Sequence, residues 1–94
     1  MKCYCLNCGK LFVKDEKYEF EVFNLIGKEA PLWFKKAAYH AIKHQHEVTA
    51  EINVLGEDIN LSVSMLAENT LFQMGMTREQ FLWESEKEGI NDEV

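Results

Sequence analysis

Val48, Ala50, Ile52 and Val54 alternate with polar residues, and Ile59, Leu61, Val63 and Met65 repeat the pattern a few positions later. A period of two is the mark of a strand with one buried face. A two-residue turn at Gly56-Glu57 pairs Val54 with Ile59, Ile52 with Leu61, Ala50 with Val63 and Val48 with Met65. Glycine at the first turn position suits a type II′ hairpin. A fainter alternation joins LFV at 11–13 to KYEFEVF at 17–23. Pairing Val13 with Tyr18 and Leu11 with Phe20 puts these side chains and Val22 on one face, as a half-buried hairpin requires.

The other segments have helical periods. Residues 24–30 form a connection, and Pro31 suits the first position of a helix running to about residue 46. At about 100° per residue, Trp33, Phe34, Ala37, Ala38, Ala41 and Ile42 share one side of that helix with His44. Lys35, Lys36, Tyr39, Lys43 and His46 fill the other side, and His40 lies at the border. Leu66 to Met74 reads as a short helix with Gly75 as a left-handed terminator. Thr77 caps a further helix, with Gln80 completing a capping box and Glu79 in the first turn. There Phe81, Leu82 and Ser85 are expected to pack on the sheet, with Trp83 partly exposed to one side.

The pattern predicts a small α+β fold in a single domain of 94 residues. Its order is knuckle, hairpin, helix, hairpin and two short helices, with the four strands in one antiparallel sheet and the helices on one face. Residues 3–46 hold the first hairpin and helix, 47–88 the second hairpin and the C-terminal helices, and 89–94 a frayed tail. A chain of this size buries only about 60–65% of its unfolded surface, so a metal or a partner would strengthen the core.

Charge changes the picture. The chain carries 10 basic and 16 acidic residues, a net of −6. Residues 1–46 have eight lysines against five acids (+3), and residues 47–94 have one arginine and one lysine against eleven acids (−9), which together give −6. Two surfaces of opposite sign are expected. No stretch approaches the ~20 apolar residues of a membrane span, and the N-terminus MKCYC has no apolar segment of a secretion signal, so a cytoplasmic protein is expected.

The three cysteines stand at 3, 5 and 8, and the three histidines at 40, 44 and 46. Thiols in a reducing compartment stay reduced, and the Cys5-x2-Cys8 spacing is that of metal ligands. A structural zinc ion takes four such donors in a tetrahedron. His40 and His44 stand one helical turn apart and project from one face, so they can close a site opened by Cys5 and Cys8. A site of Cys3, Cys5, Cys8 and one histidine is the alternative.

CLNCGKLF resembles the first hairpin of two-cysteine, two-histidine zinc fingers (C-x2-C-G-K-x-F), and HAIKH resembles the helical half of that motif. The resemblance covers about fifteen residues in two pieces and implies zinc held by Cys5, Cys8, His40 and His44. The spacing departs from the family: 31 residues separate Cys8 from His40, where the family has about a dozen. Fingers read DNA from the start of their helix, and the corresponding Leu32, Trp33 and Phe34 read here as core. The resemblance supports the metal and not the base reading.

Enzyme motifs are missing. There is no H-E-x-x-H, no G-x-S-x-G and no P-loop. His44-Gln45-His46-Glu47 has no P-C-x-x-C after it to make a deaminase. The pairs Asp15-Glu16 and Glu57-Asp58 read as solvated turn residues. The expected function is therefore non-enzymatic: a zinc-binding interaction protein, a small regulator or inhibitor that meets a protein partner with a basic surface through its acidic C-terminal half. In size and acidity it is similar to small bacterial or phage-encoded regulators. The anchor would be Trp83 among Glu79, Glu84 and Glu86, since exposed aromatics carry much of the energy of an interface. The rival is a nucleic-acid binder using the lysines of the N-terminal half. A net negative charge and a single arginine count against it.

Overall fold

The computed structural model describes residues 2–14, 32–54 and 56–90. The strand expected at 17–23, the connection at 24–30, Pro31 and the tail residues 91–94 lie outside the described residues. Among the described residues, four strands form one antiparallel sheet in the order β2-β1-β3-β4, where β1 is Lys2–Cys5, β2 Leu11–Lys14, β3 Val48–Val54 and β4 Glu57–Ser62. The described helices are three, α1 Leu32–His44, α2 Val63–Met74 and α3 Arg78–Lys87, and they follow the pattern of the chain. The fold class is α+β, as the alternation and helical periods predict.

The strand β1 was not expected. Lys2–Cys5 alternates exposed and buried side chains, and it sits at the centre of the sheet between β2 and β3. Cys3 faces Ala50 and Val13, and Cys5 faces Val48. Both sulfur-bearing side chains therefore point into the core, while Lys2 and Tyr4 point out, where the Tyr4 hydroxyl donates to Glu51 at 3.1 Å. Among the described residues β2 pairs with β1; the expected pairing of residues 11–13 with 17–23 lies outside them. A bulge breaks the register between Cys3 and Tyr4, with Cys3 opposite Val13 and Tyr4 opposite Leu11. The extra residue is Phe12. A bulge re-aims a side chain, and here Phe12 packs on the core while Leu11, expected inside, is exposed.

The hairpin of β3 and β4 is present, with its register moved by two residues. Ile52 pairs with Ile59, Ala50 with Leu61 and Val54 with Glu57, leaving Gly56 in the connection at φ 85°. A two-residue slip preserves which face each side chain occupies, so alternation alone cannot detect it. What decides it is Ser62. Its hydroxyl accepts the Met65 N–H at 3.2 Å and starts α2 at Val63, three residues before the expected Leu66. Val63 is fully buried in the first turn, and Met65 is exposed.

The helix α1 lies against β1, β2 and β3, and α2 and α3 pack on α1. Trp33, Phe34, Ala37, Ala38, Ala41 and Ile42 enter the core, but Leu32 is exposed. Tyr39, assigned to the lysine face by its angle, is buried because α3 covers that side: its hydroxyl donates to Glu86 at 2.7 Å. Burial and this hydrogen bond push the Tyr39 phenol above its ordinary range. Ser85 is buried and Phe81 and Leu82 are partly buried, so α3 docks its expected face, but on α1 and not on the sheet.

Both C-terminal helices end in glycine. Gly75 terminates α2 in the left-handed conformation as expected, with the Met76 N–H on the Leu71 carbonyl at 3.0 Å. After α3, Gly89 at φ 87° gives the Ile90 N–H to the Ser85 carbonyl at 2.9 Å. A residue with a Cβ is strained at that angle. Ile90 then folds back and is only 4% exposed. It is the apolar residue that commonly accompanies this cap, not part of a frayed tail.

Candidate metal centre

Cys5, Cys8, His40 and His46 meet at one end of β1. One donor atom from each lies within 4.8 Å of all the others. The Cys5 Sγ is 3.5 Å from His46 Nδ1, the Cys8 Sγ is 3.4 Å from His40 Nε2, and the two imidazole nitrogens are 3.3 Å apart. Cys5 and His40 are buried, His46 is half-buried and Cys8 is exposed.

Each donor has a local cause. Cys5 ends β1, and residues 6–9 turn the chain back toward β2. The Gly9 N–H donates to the Cys5 carbonyl at 2.9 Å and the Cys5 N–H to the Lys10 carbonyl at 2.9 Å. Gly9 makes the turn at φ 76°, where L side chains are disfavoured. This loop carries Cys8 to the mouth of the site. His40 comes from the buried face of α1, and the Phe12 ring meets it edge-on at 5.4 Å. The β2 bulge therefore serves the site by seating the ring against this imidazole.

His46 takes the place expected for His44. The helix α1 stops at His44, and Gln45 is left-handed at φ 54°. The step of about 100° per residue used to place His46 on the lysine face fails at that bend. Beyond it the chain is held by four hydrogen bonds. The Leu6 N–H donates to the Glu47 carbonyl at 2.8 Å, and the Glu47 N–H to Asn7 Oδ1 at 2.8 Å. The Ser64 hydroxyl donates to the His46 carbonyl at 2.8 Å and accepts the Val48 N–H at 2.8 Å. The knuckle loop and the start of α2 thus fix the residue that completes the set. His44 is exposed and stacks on His46 with ring centroids 5.3 Å apart, close to but outside the group of four. The spacing His40-x5-His46 falls within the three to five intervening residues found in cysteine–histidine zinc sites, a signal that the helical wheel conceals.

Cys3 does not join the group. It is fully buried two residues before Cys5, and burial pushes its thiol from an ordinary 9.0 up to about 12. It is a core residue beside Val13 and Ala50.

The acidic face expected around Trp83 is assembled in part. Trp83 is 60% exposed, as its angle on α3 predicts. Glu79 and Glu84 are exposed on the same helix, whereas the Glu86 carboxylate accepts from Tyr39. A cation of the same helix already covers the ring: Lys87 Nζ lies 5.1 Å from the Trp83 ring centre.

No protein-family model matches the chain, and no curated protein or solved structure shows significant similarity to it. None of the described helices is long and apolar enough to cross a membrane.

Proposed function

We propose that this chain is a non-enzymatic zinc-binding interaction protein in which Cys5, Cys8, His40 and His46 hold one structural zinc ion. The observation that carries the reading is the donor geometry. A tetrahedron built with Zn–S of about 2.3 Å and Zn–N of about 2.05 Å has S···N edges of about 3.6 Å and N···N edges of about 3.3 Å. The separations of 3.5, 3.4 and 3.3 Å lie close to these edges. Two thiolates and two imidazoles suit zinc by softness. Four protein donors also fill the coordination sphere, whereas a catalytic zinc keeps a position open for water or substrate. The ion would join the knuckle, the end of α1 and the start of β3, three segments that the core alone holds weakly in so small a domain.

The partner would be a protein with a basic surface, and the role that of a small regulator or inhibitor. The support is the net charge of −9 over residues 47–94 and an exposed tryptophan flanked by Glu79 and Glu84. Aromatic anchors supply affinity, and surrounding charge speeds encounter.

Metal analysis of the protein purified without added zinc tests the first half, with equimolar zinc expected. Trp83→Ala tests the second. The variant should keep its zinc and melt within a few degrees of the parent, because the ring is largely solvated. It should bind a partner captured from lysate more weakly by about 2 kcal/mol or more. Unchanged binding would move the partner surface elsewhere.

A further inference from the structure

The two cysteine donors differ in access. Cys5 is 1% exposed, while Cys8 sits on the solvent side of a loop whose four residues, 6–9, are all exposed. Their sulfur atoms lie within 4.8 Å of each other. The loop has little apolar packing to oppose a small closing motion. This is the arrangement of an attacking thiolate that solvent can reach and a resolving thiol behind it.

We propose that Cys8 is a modification site for hydrogen peroxide, with Cys5 as its resolving partner, and that their oxidation expels the metal. The proposal rests on the zinc reading above. The Cys8 thiolate attacks the peroxide O–O bond, giving Cys8 sulfenic acid and, after one proton is taken up, water. The Cys5 thiolate then attacks the Cys8 sulfur, an S–S bond forms, and the sulfenic oxygen leaves as a second water with a second proton. Two thiolates are oxidised by two electrons and one peroxide is reduced. The disulfide keeps neither thiolate, so only His40 and His46 remain as donors and zinc departs. Cys3, fully buried, stays outside the reaction.

The test uses the zinc-loaded full chain treated with hydrogen peroxide. Free zinc is followed with a chromophoric chelator and the protein by intact mass. The expected result is one zinc released per loss of about 2 Da, reversed by dithiothreitol and added zinc. Cys3→Ser should respond at the parental rate, and in that variant the lost mass can fall only on Cys5 and Cys8. Cys8→His made in the Cys3→Ser background leaves Cys5 with no second thiol, and, with its zinc content measured before peroxide is added, its zinc release should be at least tenfold slower. The exposed methionines, Met65 and Met74, provide the contrary outcome. Gain of about 16 Da per methionine with zinc retained would overturn the proposal. So would zinc loss in that double variant at the parental rate. A chain that holds no zinc before peroxide is added overturns the metal reading instead, and the Cys3→Ser mass then still decides whether peroxide links Cys5 to Cys8.

Discussion

Replacing His46 by alanine separates the proposed ligand set from the one the helical spacing favours. The Nδ1 atom of His46 is 3.5 Å from the Cys5 sulfur and 3.3 Å from His40 Nε2, so it occupies one corner of the group. Apparent binding of structural zinc is worth about 10–16 kcal/mol for four donors, so the loss of one corner, filled afterwards by water, costs about 3 kcal/mol. That is a fall in zinc affinity of roughly two orders of magnitude. His44 stands outside the group and stacks on His46 at 5.3 Å. Removing an exposed stacking partner costs about 0.5–1.5 kcal/mol, about a tenfold effect at most. Competition titrations of the parent, His46→Ala and His44→Ala against a chromophoric chelator at neutral pH give both numbers. His44→Ala weakening zinc as much as His46→Ala would refute the placement of His46 and restore the i, i+4 pair on α1.

Two further outcomes follow from the same geometry. Ile90 is 4% exposed behind the Gly89 cap, so Ile90→Ala should destabilise by about 2–5 kcal/mol, lowering the melting temperature by ten degrees or more while zinc content stays equimolar; a shift of a degree or two would mean that α3 needs no such anchor. Chelation at neutral pH should raise hydrogen exchange first in residues 5–10 and 44–48, which the Leu6–Glu47 pairing and the proposed metal would hold together; a rise beginning in α3 would place the metal's influence elsewhere.

The parts of this fold that sequence reveals are those where one signal acts alone. The alternation of β3 names that strand and its buried face, whereas along β4 burial does not alternate and Ile59 is 41% exposed; Thr77 and Gly75 name helix ends through their own side chains or lack of one. Cys5, Cys8 and His40 are named by spacing. The remainder depends on competition between signals. The register of the second hairpin turns on whether Val63–Met65 extends a strand or Ser62 caps a helix, and the cap wins by offering the Met65 N–H a partner. The alternation of Lys2–Cys5 is as regular as any in the chain, but the cysteines invite reading as ligands before reading as strand. Tyr39 becomes internal where α3 packs against α1, and Ile90 where the Gly89 cap turns the chain back. His46 depends on a bend at Gln45, where a non-glycine residue takes φ 54°, and no periodic pattern carries across such a bend.

The proposed zinc is tetrahedral, with two sulfur and two nitrogen donors. X-ray absorption at the zinc edge of the purified, untreated protein measures that set directly. Two sulfur scatterers at about 2.3 Å and two imidazole nitrogens at about 2.0–2.1 Å are expected, with multiple scattering from the rings. Three sulfurs and one nitrogen would bring Cys3 into the site and contradict its place in the core. A folded protein with no zinc signal would show that Cys5, Cys8, His40 and His46 hold no zinc.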